Sequence, residues 1–137
     1  MPAPRLVPDD ATRDKLQAHL DGLAGSLHGV RSAVLASVDG FVVVQTSVNG
    51  TSGDRLAAMT SSMLALASAV GRELKIGALH ALMLEAEGGK VLMLSVGNAG
   101  TPVLLMVACS QRSVMGKVLW TAKECAKEIA STLSTPR

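Results

Sequence analysis

With 137 residues, 48% hydrophobic and 18% charged, the chain is long enough for one core and too apolar to stay disordered. A net charge of +2 with no basic run argues against a nucleic-acid-binding face. Phe41 and Trp120 are the only aromatic residues, too few to stack along a single strand.

Residues 1–8 contain three prolines and no apolar stretch long enough for a signal peptide, so they are expected to form a mobile arm ahead of a single domain at 9–137. Asp9 and Asp10 can cap a first helix with Leu16, Leu20, Leu23 and Leu27 on one stripe, ended by His28-Gly29. Strands are predicted at 30–38 and 41–46 around Asp39-Gly40, a two-residue hairpin signal. A turn-rich loop (SVNGTSG, 47–53) leads to a second helix at 54–74. Three further strands follow at 79–85, 91–96 and 103–108, joined by turns at 87–89 and 97–102. Ser110 or Ser113 can cap a last helix that reaches about Leu133.

Strands joined by such short turns are antiparallel neighbours. Segments such as Phe41-Val-Val-Val44 and Val103-Leu-Leu-Met-Val107 are apolar on both faces, so the sheet is expected to be covered on both sides. The predicted fold is an α/β (α+β) three-layer sandwich, ordered α-β-β-α-β-β-β-α. Its five-stranded, mainly antiparallel sheet carries two helices on one face and the middle helix on the other.

The middle helix has no charge from Leu56 to Gly71. With four hydroxyls in sixteen residues, that stretch is a poor membrane span. Leu56, Met59, Met63, Leu66, Val70 and Leu74 fall on one side and are expected to pack on the sheet. Ala58, Ser61, Ala65, Ser68, Ala69 and Arg72 fall on the other, where a solvated helix would carry Lys and Glu. Small residues allow close helix approach, so this seam is expected to meet a second copy of the chain.

The element order and three segments resemble the Roadblock (dynein light chain) family, in its bacterial small-GTPase-regulator form. The segments are Gly29-Val-Arg-Ser-Ala-Val-Leu-Ala-Ser-Val-Asp-Gly40, Asp54-Arg-Leu-Ala-Ala58 and Leu82-Met-Leu-Glu-Ala-Glu-Gly-Gly89. The resemblance implies a dimer with one continuous sheet, its second helices side by side and its third strands paired. Ala58, Ser61, Ser62, Ala65 and Ala69 would then form the helix seam, with Leu82, Met83 and Leu84 on the edge strand. It further implies a Ras-like small GTPase as partner, in signalling, polarity or motility. Two other functions stand beside that one: a dimeric assembly adaptor with no effect on hydrolysis, and a small-molecule sensor, which the scarcity of polar pocket-lining groups disfavours.

No catalytic, cofactor or metal site is expected. His19, His28 and His80 are scattered, and Cys109 and Cys125 offer neither metal-ligand spacing nor a disulfide framework, consistent with a reducing cytoplasm. Gly88-Gly89-Lys90 lacks phosphate-loop spacing and sits between strands. Any effect on GTP hydrolysis would therefore act on the partner's site. Arg55 and Arg72 flank the seam, placed either to reach a GTPase as an arginine finger does or to solvate the helix ends and pair with Asp54 and Glu73. Trp120 points away from the apolar stripe of the last helix, among Lys123, Glu124 and Lys127. It marks either a second contact surface or a side chain covered by lysine stems or by Leu6 and Val7 of the arm.

Overall fold

The computed structural model describes residues 6–47, 52–97 and 102–134. Parts of the predicted arm and of the loops at 47–53 and 97–102 lie outside these residues. The first helix, α1, spans Asp10–Ser26. Asp9 caps it, its carboxylate accepting from the Thr12 N–H at 2.8 Å. Leu16, Leu20 and Leu23 form its buried stripe. Ahead of it, Leu6 packs against the core and Pro8 is buried.

Strands β1 (Val30–Ser37) and β2 (Val42–Ser47) form the first hairpin. Its loop is wider than the two-residue turn that Asp39-Gly40 suggested. The Ser37 N–H donates to the Phe41 carbonyl at 2.8 Å, and the Ser37 hydroxyl also bonds Asp39, so the loop closes on Ser37, one residue earlier in the first strand, and β2 begins only at Val42. Phe41 therefore lies in the loop, exposed, and not in the strand. Gly40 adopts φ +91°, and a Cβ there would sit 3.3 Å from the Ala58 backbone. Only glycine suits both the turn and that close approach.

Helix α2 (Gly53–Glu73) follows, then strands β3 (Leu82–Ala86), β4 (Gly89–Val96) and β5 (Val103–Cys109), and helix α3 (Met115–Ser134). The sheet order is β2-β1-β5-β4-β3, with every neighbouring pair antiparallel. The predicted strand at 79–85 is displaced, since residues 79–81 are not in the sheet. On one face, α1 and α3 close a core around Leu20, Leu35, Leu92, Leu105 and Ile129. On the other, α2 closes a smaller core around Val34, Ala57, Leu64, Met93 and Met106. The three-layer sandwich predicted from the pattern is the observed architecture.

One expectation within this frame is overturned. α2 meets the sheet through Gly53, Ala57, Thr60 and Leu64; of the stripe predicted to pack there, Leu56 and Met63 do so, while Met59, Leu66, Val70 and Leu74 face outward. The buried stripe is neither of the two predicted: it runs between them, and its small members Gly53, Ala57 and Thr60 let the helix settle close to the strands. A Cβ on Gly71 would lie 3.1 Å from the Gly77 carbonyl. Thr60 Oγ1 is fully buried in this stripe with no hydrogen-bond partner among the described residues. An unsatisfied hydroxyl costs about 1–3 kcal/mol, so the near-isosteric Thr60→Val should stabilise the protein by about 1 kcal/mol. Thermal unfolding checks this; a lower melting temperature for Thr60→Val would show that the hydroxyl is satisfied in solution.

Candidate functional site

The outward half of α2, the segment after it and strand β3 form one surface. Leu66 is 68% exposed, and Met59, Val70 and Leu74 are also more than half exposed. Beyond the helix, Lys75 turns the chain with φ +56° and Gly77 with φ +97°, which carries Ile76 out to 73% exposure. Between α2 and β3 runs a groove of about 640 Å³, lined by Met63, Leu66, Val70, Ile76, Leu79 and Leu84 among others. β3 is an edge strand, hydrogen-bonded to β4 on one side only among the described residues. Its Leu82 and Leu84 lean toward α2, opposite Met93 and Val91, and Met83 points to the other face, exposed. So contiguous an apolar surface beside an open strand edge is the signature of an interaction site.

The residues predicted for the helix seam lie on or beside this surface. Ala58, Ser62 and Ala65 are exposed, and Ala69 is half-buried. Ser61 is half-buried as well, and its hydroxyl donates to the Val38 carbonyl, tying α2 to the first hairpin. Arg55 and Arg72 are exposed at the two ends of the helix, and neither forms an ion pair among the described residues. Met59, Leu66, Val70, Leu74 and Ile76 are additions that the sequence reading assigned to the core or passed over. Ile76, an isoleucine between Lys75 and Gly77 just past a helix end, was the available signal.

A family model for the Roadblock/LC7 domain matches residues 16–107, most of the domain just described. This chain belongs to the Roadblock/LC7 family. An uncharacterized protein of Methanocaldococcus jannaschii is 26% identical to it over 101 residues, covering 74% of this chain and 85% of that one. Among solved structures, a Roadblock/LC7 domain from Streptomyces avermitilis superposes with a TM-score of 0.78 at 22% identity, covering 87% of this chain and 98% of that one. MglB of Myxococcus xanthus superposes with a TM-score of 0.83 at 18% identity, covering 96% and 98%.

Elsewhere on this Roadblock/LC7 domain the titratable groups knit helices together. His19 Nε2 lies 2.9 Å from Thr132 Oγ1, and Nδ1 lies 3.0 Å from Glu128 Oε2. That is the order of a charge relay. Thr132, however, sits near the end of a helix whose amides are bonded to its own carbonyls, so α3 supplies no paired donors for an oxyanion. The cluster clasps α1 to α3, a tertiary contact that no local spacing announces. His28 and His80 are exposed and apart from it. Among the described residues no three potential metal ligands converge, and no helix is long and apolar enough to cross a membrane.

Cys125 is buried in the α3 stripe with Val118, Ala122 and Ile129, and its thiol donates to the His19 carbonyl at 3.5 Å. Burial, reinforced by the nearby Glu128 charge, pushes the thiol up from 9.0 to about 11. The unfolded chain then releases this proton first. The stability contributed is complete below pH 9.0 and falls as pH rises toward about 11. At neutral pH Cys125 should resist alkylation in the folded protein and react once denaturant is added. Peptide mass analysis checks this, and equal labelling of the two states would contradict it.

Proposed function

We propose that this Roadblock/LC7 domain is a homodimer that regulates or scaffolds a Ras-like small GTPase without an active site of its own. The supporting observation is the unpartnered apolar surface of α2 beside the open edge of β3. A second copy related by a two-fold axis satisfies both features together. The helices bury their outward residues against each other, and the two β3 strands pair to remove both edges. Ala58, Ser62, Ala65 and Ala69 allow the helices to approach closely, while Leu66, Val70 and Ile76 supply the apolar area. Leu82, Met83 and Leu84 continue the contact across the paired strands.

The GTPase as partner is what the family resemblance implies. Arg55 and Arg72, without ion-pair partners among the described residues, stand at the rim of the paired helices where such a partner would dock. A guanidinium placed there has the charge to meet developing negative charge on a transferred phosphoryl group. The cytoplasm is the compartment that fits such a partner.

The test takes a small GTPase encoded in the same genome, loaded with GTP, and follows phosphate release with and without this protein. Faster release that is lost in Arg55→Ala or Arg72→Ala supports an activator. Binding with no change in rate leaves the scaffold and removes the activator. Failure to bind any small GTPase of that genome in either nucleotide state would overturn the partner assignment.

A further inference from the structure

We infer that the outer face of α3 is a second docking surface, which takes an acidic segment of a partner protein and covers Trp120 with one of that segment's apolar side chains. α3 packs on the sheet through Val118, Ala122, Cys125 and Ile129, and Trp120 projects on the opposite side with 67% of its surface exposed. The described part of the N-terminal arm does not cover it. Leu6 packs into the core and Val7 is itself exposed.

Lys117, Lys123 and Lys127 surround the indole at helical spacings of three and seven residues. The carboxylates on this side of the helix are already engaged, Glu124 with Lys127 at 3.3 Å and Glu128 with His19 at 3.0 Å. Among the described residues Lys117, Lys123 and nearby Arg112 have no ion pair, so the face carries uncompensated positive charge around a large apolar side chain. At the start of the helix, a recess of about 350 Å³ is lined by His28, Arg112, Val114 and Lys117 together with Ser110 and Ser113. It extends the basic surface and is large enough to receive a side chain.

The chemistry of the occupant follows from this arrangement. Tryptophan is a preferred anchor in protein interfaces, and a basic surround selects and steers an acidic partner. An interfacial membrane helix would need a continuous apolar face. Here the residues one and two turns from Trp120 on the exposed side are Gly116, Lys117, Lys123, Glu124 and Lys127, polar or charged apart from the glycine. α3 and α2 lie on opposite faces of the sheet. Docking on α3 therefore leaves the α2 and β3 surface free, whether or not the chain dimerises there.

Trp120 is the only tryptophan, so its emission reports on this face alone. The full chain is titrated with a synthetic glutamate-rich peptide carrying one phenylalanine, with the same peptide bearing glutamine for glutamate, and with phosphatidylglycerol vesicles. The expected result is a saturable blue shift with the acidic peptide. Binding should be about tenfold weaker for the glutamine peptide and for the Lys117→Glu/Lys123→Glu double variant. The shift should persist in Ala65→Glu, which separates this face from the α2 surface. No shift with the acidic peptide, equal binding of the glutamine peptide, or a vesicle response as large as the peptide response would each overturn the inference.

Discussion

Replacing Ala65 by glutamate should convert a dimer into a folded monomer. Ala65 lies at the middle of α2 on its outward side, exposed in the single chain, so the longer side chain has room there and an unchanged helical spectrum is expected. In the proposed dimer the same position is buried, and two-fold symmetry places the new charge in the interface twice. An uncompensated buried charge costs about 3–5 kcal/mol, which is more than about a hundredfold in the dissociation constant. Ala58→Arg should act in the same direction. Sedimentation velocity separates the outcomes. If both variants still sediment as dimers, α2 is not the seam.

The second large effect sets two neighbouring leucines against each other. Leu64 is buried on the sheet with Ala57, Val34 and Met106, whereas Leu66 stands exposed on the other side of the same helix. Leu64→Ala should leave a cavity and cost about 2–4 kcal/mol of stability. Leu66→Ala should cost the monomer little and weaken the dimer instead. Measuring both in the Ala65→Glu background removes the contribution of dimerisation to unfolding. Equal losses there would mean that the helix is rotated from the orientation described, with Leu66 facing the strands.

Strand count, antiparallel order and the split of helices between faces were all legible in the sequence. Short turns force neighbouring strands to be antiparallel, and doubly apolar segments such as Val103–Cys109 need cover on both faces. The orientation of α2 was not legible. A stripe of bulky residues and a stripe of small ones each qualify as the buried face, and size suggested the former. Close packing chose neither but the stripe between them, where Gly53, Ala57 and Thr60 bring the helix near the strands while Leu64, flanked by Leu56 and Met63, fills the remaining space. That rotation made the candidate site larger and more apolar than the Ala/Ser seam. The groove beside β3 was hidden for a related reason. Residues 79–81 read as a strand, yet they leave the sheet and form the groove wall. The clasp of His19, Glu128 and Thr132 joins the two ends of the chain and leaves no periodic trace.

In the proposed dimer one copy meets another through the outward surface of α2 and the edge of β3. Hydrogen exchange resolved to peptides, at protein concentrations well below and well above the dimer dissociation constant, tests this most directly. Edge-strand amides that face solvent in the monomer exchange quickly, and pairing across two β3 strands protects them. Residues 82–86 should therefore slow sharply as the protein associates, while α1 and α3 change little. Association with unchanged exchange at 82–86, or protection on α1 and α3 in its place, would contradict the proposed interface.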